Sequence, residues 1–185
     1  MASHQQTDRL TRLAVRMKRG DRKAAAALYD EFLPKVYGFL YTRTGKREVA
    51  EDLAHDVFIK LIERVDGFDE ARGGFVVWFW RMVRNMLVDF YRKKKEVPFS
   101  SFEEGAVEAM AVDGRGPDLD DKLRHEKLIA FLGTLNDGDR ELFEYRYVAE
   151  LSYAEIAALT GKTEGSLRVA ALRIKGKIKQ GLKDV

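Results

Sequence analysis

One segment of the sequence combines aromatic rings with a run of cations. Residues 75–95 begin with aromatic side chains, continue through two arginines and an asparagine, and end in four consecutive basic residues, 92–95. Aromatic faces stack on or wedge beside bases, and Arg and Lys bind phosphates. The segment therefore favours contact with DNA whose strands are being separated. An amphipathic core helix with a solvated basic end is the alternative, and it explains either half alone equally well.

A second basic segment, near the carboxyl end, follows a helix-turn-helix pattern. Ser152 and Glu155 have the spacing of a capping box, Gly161 permits a tight turn, and Thr163 is placed to cap the next helix. In a helix-turn-helix the early residues of the second helix face base edges in the major groove. The side chains in that position are Ser166, Arg168, Val169, Arg173 and Lys175. An ordinary pair of packed helices with a basic surface is the other interpretation.

Groups typical of catalysis or metal binding do not come together in the sequence. The chain has no cysteine and only three scattered histidines, which excludes disulfides, thiolate nucleophiles and Cys-based zinc sites. Asp52 and His55 have the spacing of a helical metal half-site, but a di-metal bundle needs a second such pair. Residues 161–163 resemble the end of a phosphate-binding loop, yet the required earlier glycine would fall at Ile156. We therefore expect no enzyme activity, no catalytic residues, no cofactor and no metal.

Helices are the elements expected to position the basic segments. Val and Ile never fall into sustained alternation, so no sheet is predicted. Hydrophobic spacing and capping residues predict a helix from Asp21 that kinks at Pro34 and continues to Tyr41, and further helices at 46–65, 75–95, 123–135, 139–148, 152–159 and 163–182. The fold class expected is all-α, in two small helical bundles.

Charge is distributed unevenly along the chain and marks a domain boundary. Residues 1–95 carry 20 Lys and Arg against 13 Asp and Glu, residues 96–121 carry 1 against 8, and residues 122–185 carry 12 against 9. The acidic segment is also rich in Gly, Pro and Ser and cannot build a core. We expect domains at 1–96 and 122–185 joined by a flexible acidic linker at 97–121. Without a long apolar run or a signal core at the start, the chain is expected to be cytoplasmic, with no membrane insertion.

Four blocks of the sequence, taken in order, resemble a bacterial RNA polymerase sigma factor of the extracytoplasmic-function (ECF) group in the sigma-70 family. The blocks are residues 50–61, 78–92, 139–147 and 151–157, and the resemblance extends from about residue 28 to residue 182. It implies a region 2-like helical domain and a region 4-like helix-turn-helix domain. It also implies that the protein binds core RNA polymerase and promoter DNA, directs transcription initiation, and has an anti-sigma factor as a further partner.

The resemblance assigns roles to residues of both domains. The resemblance assigns polymerase docking to Asp52, His55, Asp56 and Phe58. Carboxylates on one helix face suit a basic partner. Recognition of the −10 element as melted strand falls to Arg72, Phe75, Trp78, Arg81, Arg84, Asn85, Arg92 and Lys93. Trp78 is expected to support or wedge the bases, and Trp80 is expected to pack in the core. Flipping a base costs a few kcal/mol of stacking, which a preformed aromatic pocket offsets.

Recognition of the −35 element as duplex falls to the helix-turn-helix domain, through Thr163, Ser166, Arg168, Val169, Arg173 and Lys175. The sequence departs from the family pattern at residues 170–172, Ala-Ala-Leu, where relatives often carry Arg, Leu and a polar residue. Base readout is therefore expected to rest on Ser166, Arg168 and Arg173, with more reliance on DNA shape.

Two other functions stay open beside the sigma-factor interpretation. A stand-alone homodimeric helix-turn-helix regulator would bind duplex DNA without polymerase, and it would leave residues 75–91 with no role beyond packing. A non-DNA adaptor that meets an acidic partner through its basic helices would tolerate substitution of Arg168 and Arg173. The acidic linker could thread a positively charged polymerase channel or serve only as a soluble tether, and its charge does not decide between these roles. The four ordered blocks favour the sigma factor.

Overall fold

The computed structural model describes residues 2–96 and 130–181. Within those ranges every regular element is helical and no strand occurs, which confirms the all-α prediction. The helices are α1 (Ala2–Lys18), α2 (Arg22–Thr44), α3 (Arg47–Arg64), α4 (Phe75–Glu96), α5 (Asp137–Phe143), α6 (Tyr153–Thr160) and α7 (Glu164–Gly181). Two 3-10 turns, Val65–Gly67 and Glu70–Arg72, connect α3 to α4, and a π-helical turn, Glu144–Val148, continues α5. The predicted linker at 97–121 lies outside the described residues.

Helix α1 was not among the elements predicted from the sequence. Its buried side chains, Leu10, Ala14 and Met17, recur at helical spacing and pack into the core, which is the signal that could have revealed it. The helix also supports the start of α4, because the Thr11 hydroxyl accepts a hydrogen bond from the backbone N–H of Phe75 at 3.2 Å. α1 therefore fixes where the aromatic helix begins.

Helix α2 begins at the predicted cap. The carboxylate of Asp21 accepts hydrogen bonds from the backbone N–H groups of Lys23 and Ala24 at 2.9 and 3.1 Å. The helix runs through Pro34 without interruption. Phe32 and Val36 are buried on either side of the proline, so core packing offsets the hydrogen bond that proline cannot donate.

Aromatic rings from α2, α3 and α4 form the core of the N-terminal domain. The Phe32 ring lies 4.6 Å from that of Phe79, and the Phe79 ring lies 5.7 Å from that of Phe75 and 6.1 Å from that of Phe58. Such ring pairs contribute about 1 kcal/mol each beyond the area they bury. The cluster holds α4 by its inner face and leaves its outer face to solvent.

The C-terminal domain contains the helix-turn-helix. Ser152 and Glu155 form the predicted capping box at the start of α6, and Gly161 ends that helix with a left-handed φ of 73°. The Thr163 hydroxyl accepts a hydrogen bond from the Ser166 N–H at 3.3 Å and so caps α7. Buried Ile156 of α6 and Leu167 of α7 pack into the domain's core. Each of these local predictions is confirmed.

The two domains pack directly against each other in this structure. The Tyr145 ring of the π-helical turn stacks on the Phe39 ring of α2 at 5.4 Å and meets the edge of Trp80 at 6.3 Å. At Gly38 an added Cβ would lie only 3.0 Å from Val148, so glycine permits the close approach. Among the helices in the described ranges, none is long and apolar enough to cross a membrane.

Candidate nucleic-acid and polymerase interfaces

The outer face of α4 carries a half-buried tryptophan followed by polar and basic side chains. Trp78 rests against Phe68 and Phe75, with ring centroids 5.5 and 5.8 Å away. Asn85 lies two helical turns further along the same face and is exposed. The structure therefore supports the Trp78 ring from beneath and leaves part of it at the surface. Asn85, further along the same face, offers an amide that can hydrogen-bond a base edge or the DNA backbone.

Phe75 does not belong to that surface. Its ring is fully buried between Phe32 and Phe68, at centroid distances of 5.8 and 5.5 Å. In this structure the Phe75 ring supports Trp78 from within the core, and its predicted role in contacting DNA stays a prediction. Trp80 is fully buried as well, in agreement with the expectation that it packs in the core.

The basic residues predicted to bind the −10 element are all exposed, and most have acidic or carbonyl neighbours. Arg72 is paired with Asp69 at 3.3 Å, in the loop before α4, and Arg92 is paired with Asp89 at 3.3 Å. Lys93 is exposed near the end of α4. Exposed ion pairs of this kind contribute little to stability, so phosphates can replace the carboxylates at small cost.

Two further basic residues predicted to bind the −10 element, Arg81 and Arg84, face the C-terminal domain. The Arg81 guanidinium donates a hydrogen bond to the carbonyl oxygen of Ala158 at 3.4 Å. The Nε atom of Arg84 lies 3.7 Å from a carboxylate oxygen of Glu141. In this arrangement the C-terminal domain therefore competes with DNA for two of the arginines on α4.

The exposed face of α3 combines acidic and aliphatic side chains. Asp52, His55 and Asp56 are exposed on it, but Phe58 is 7% exposed and its ring lies 4.7 Å from that of Tyr29. In this structure the position of Phe58 in the helix directs its ring into the core, and its predicted contact with polymerase stays a prediction. Two aliphatic residues of the same helix that were not predicted as contacts, Ile59 and Ile62, are 44% and 65% exposed.

A shallow groove of about 350 Å³ runs beside this face, between α3 and α4. Asp56 and Ile59 line it from α3, and Phe90 and Lys93 line it from α4. Helical spacing from Asp52 places Ile59 on this surface. The groove's lining mixes apolar side chains with carboxylates and lysines, and the carboxylates suit basic side chains of a partner.

Helix α7 presents its predicted contact residues to solvent. Thr163, Ser166 and Lys175 are exposed, and Val169 is 65% exposed. Arg168 donates a hydrogen bond to Glu164 at 2.9 Å and lies over the Tyr153 ring at 4.8 Å. All six predicted −35 residues therefore lie on α7 or at its cap.

Arg173 is held by an acidic side chain of α5. Its guanidinium donates hydrogen bonds to the carboxylate of Asp139, which is 2% exposed, and Lys177 approaches the same carboxylate at 3.5 Å. The Arg173 hydrogen bonds lower the pKa of Asp139 below its ordinary value of 3.8. Asp139 therefore stays ionised at neutral pH and fixes the direction in which Arg173 extends.

A basic helix next to a helix-turn-helix domain is typical of a DNA-binding protein. Sequence profiles match accordingly: sigma-70 region 2 over residues 28–97 and sigma-70 region 4 over residues 125–178. CarQ, an RNA polymerase sigma factor of Myxococcus xanthus, is 30% identical over 85% of this chain and 88% of its own length. The protein therefore belongs to the ECF group of sigma-70 family RNA polymerase sigma factors, which direct core polymerase to specific promoters.

Other comparisons agree with this assignment. The ECF sigma factor BldN of Streptomyces coelicolor is 27% identical over 93% of this chain, and the chain spans 65% of the length of that relative. Among solved structures, CnrH in complex with the cytosolic domain of CnrY has the same fold, with a TM-score of 0.67 and 20% identity, covering 93% of this chain and 96% of CnrH.

Proposed function

We propose that this chain divides promoter recognition between its two domains, with α4 acting on the melted −10 strand and α7 acting on the −35 duplex. The observation that carries the proposal is the pairing, in one chain, of a surface tryptophan supported by Phe75 and an exposed recognition helix. A duplex reader alone needs only the second. The core polymerase supplies the catalysis, and the sigma factor supplies the specificity.

At the −10 element, Trp78 stacks against or wedges beside an unpaired base while Asn85 makes a polar contact. Base stacking on an aromatic ring is worth about 1–3 kcal/mol, comparable with the cost of unstacking a base from the duplex. Arg72, Arg92 and Lys93 then bind phosphates on either side of the opened bases. Phe75 contributes by keeping the tryptophan ring in place.

The exposed face of α3 docks on the polymerase. Asp52 and Asp56 provide charge, and Ile59 and Ile62 provide the apolar area that a stable interface needs. This composition fits a basic and aliphatic surface on the core enzyme. Since initiation takes place on the bacterial chromosome, we place the protein in the cytoplasm.

The domains must separate before both promoter elements are read. The −10 and −35 elements lie about 25 base pairs apart, roughly 85 Å along B-DNA. In the packed arrangement Arg81 and Arg84 contact the C-terminal domain, so opening also releases them for phosphates. The predicted linker, residues 97–121, allows the separation, because a fully extended segment of 25 residues spans about 85 Å.

A protein partner that holds the domains together would silence the sigma factor. CnrH was solved with the cytosolic domain of CnrY. We propose an anti-sigma factor for this chain too, one that stabilises the packed arrangement and keeps Arg81 and Arg84 covered. Dissociation of that partner would then permit polymerase binding.

Transcription reconstituted with core RNA polymerase tests the proposed function directly. Core enzyme plus this chain should initiate selectively at a small set of sites in a genomic fragment library, and core enzyme alone should not. If selective initiation is absent, and the chain instead binds duplex operators by itself as a dimer, the homodimeric regulator is the correct function.

A further inference from the structure

The centre of the recognition helix is apolar. Val169 and Leu172 are 65% and 71% exposed, the highest exposures among the large hydrophobic side chains of α7. They lie three residues apart and so project from the same side of the helix, about 5–6 Å from each other. We call these two residues the aliphatic ridge. A solvent-facing pair of branched aliphatic side chains gains free energy only when something covers it.

The arginines beside the ridge are already engaged within the domain. Arg168 is held by Glu164 and by the Tyr153 ring, on one side of the ridge. Arg173 is held by Asp139 on the other side. Their guanidinium groups are partly satisfied before DNA arrives, and neither is directed along the centre of the helix face.

Two glycines extend the ridge toward both ends of the helix. Gly165 and Gly176 share its face by helical spacing, and a Cβ added at either would meet nothing within 4 Å. Folding therefore does not demand glycine at these positions, and glycine inside a helix costs about 1 kcal/mol relative to alanine. Their smooth backbone leaves room for a surface that approaches α7 closely.

We propose that the aliphatic ridge reads the −35 element by packing Val169 and Leu172 against the C5-methyl groups of thymines in the major groove. This inference rests on the proposed function and specifies its readout. The thymine methyl is the one apolar group that a base pair presents in the major groove, and only an A·T pair carries it. The basic side chains on either side suit the two phosphate backbones that border the groove.

The distance between Val169 and Leu172 limits how many base pairs can separate the two contacted thymines. Side chains 5–6 Å apart on the helix match base pairs that are adjacent or separated by one pair, at 3.4 Å per pair. The two thymines need not lie on one strand, because the groove exposes methyl groups of both. The −35 element should therefore contain a short A·T-rich step rather than a pattern of guanines read by arginine.

The test replaces thymine by uracil, which removes only the methyl group and keeps the base pair. An active promoter is first selected with the reconstituted holoenzyme from a library randomised upstream of −10. Each −35 thymine is then replaced by deoxyuridine, and holoenzyme binding and transcript yield are measured. We expect about a fourfold loss of binding per contacted methyl, at two positions, since burying one such carbon contributes about 0.8 kcal/mol.

Variants of the aliphatic ridge are then tested on both the thymine and the uracil promoters. Val169→Ala and Leu172→Ala should each weaken the thymine promoter and abolish the uracil effect at one position, and their exposure means that the fold is preserved. Lys175→Ala is the matched control, because loss of a phosphate contact should weaken thymine and uracil promoters equally.

Three outcomes are distinguishable. Absence of any selective promoter would reject the proposed function itself. A selected promoter that tolerates uracil at every −35 position, or an undiminished uracil effect in both alanine variants, would overturn methyl readout while leaving the function intact. Wild-type transcription by both alanine variants would likewise overturn it, because promoter recognition would then not depend on the ridge.

Discussion

Arg43 of α2 and Glu144 of the π-helical turn form an ion pair between the two domains. The Arg43 Nε atom lies 2.5 Å from a Glu144 carboxylate oxygen, and Glu144 is completely buried. Arg140 approaches the other oxygen at 3.1 Å and also donates a hydrogen bond to the carbonyl oxygen of Thr42. Burial raises the pKa of Glu144 above its ordinary value, against the opposing effect of the arginines. A charged group thus sits in the centre of the interface that must open.

Removing one member of this pair should loosen the domain packing. Arg43→Met leaves Glu144 buried with Arg140 as its remaining partner, and we expect a loss of about 2 kcal/mol in the free energy of unfolding. Arg43→Met combined with Glu144→Met should recover most of that loss, because an apolar pair needs no desolvation of charge. Urea denaturation gives the free energies, and small-angle scattering reports whether the domains separate.

The exposed pair between Arg47 and Glu51 supplies the control. Arg47→Met should change the free energy of unfolding by less than about 0.5 kcal/mol and leave the radius of gyration unchanged. If the Arg43→Met and Glu144→Met double variant is no more stable than Arg43→Met, the attraction between the two charges holds the domains together. The prediction that the loss comes from an unpaired buried charge would then be wrong.

Asp139 should make the C-terminal domain sensitive to acid. Because its pKa is lower in the folded protein than the ordinary 3.8, its stabilisation is fully present above that value and is lost as the pH falls through the folded-state pKa. Asp139→Asn keeps the shape but removes this contribution. The wild type should therefore unfold at a higher urea concentration than the variant at pH 5–7, and the difference should shrink below about pH 4. If the difference in unfolding urea concentration between wild type and Asp139→Asn is independent of pH, the charge of Asp139 is not its source.

Local chemistry was predictable from the sequence, whereas the burial of individual side chains was predictable only in part, as for Trp80. The Ser152 capping box and the Gly161 turn depend on residues close in the chain, and both appear as expected. Phe75 and Trp78 are three positions apart on one helix, and only the placement of the neighbouring elements buries the first ring completely and the second in part. Arg43 and Glu144 each look like surface charges in the sequence, because the partner of each lies in the other domain.

Trp78 should matter for strand opening more than for binding of the closed duplex. Trp78→Ala removes the stacking surface, and we expect about a tenfold loss of promoter opening, detected by permanganate footprinting, with less than a threefold change in initial binding. Trp78→Phe should recover part of the opening. Equal loss of opening and binding would refute the assignment of Trp78 to the melted strand.

Phe75→Ala should instead destabilise the N-terminal domain, by about 3–5 kcal/mol, because it empties a fully buried site. Thermal unfolding measured by circular dichroism checks this. Phe75→Ala therefore tests the packing that supports the tryptophan ring, and Trp78→Ala tests the role of that ring in strand opening. A Phe75→Ala protein with unchanged thermal stability would contradict the packing role given to that ring.

Charge reversal on α3 should abolish polymerase association without unfolding the domain. Asp52 and Asp56 are exposed and form no part of the core, so replacing both with Lys alters only the outer surface. Like charges facing a basic partner cost several kcal/mol, which is enough to prevent co-purification with core polymerase. Asp30→Lys, an exposed reversal on α2, is the matched control and should co-purify normally.

Ile62→Ala should weaken the association about tenfold, since a 65% exposed isoleucine gains from burial only when a partner covers it. Unchanged co-purification of the Asp52 and Asp56 double variant would show that polymerase docks on another surface than the exposed face of α3.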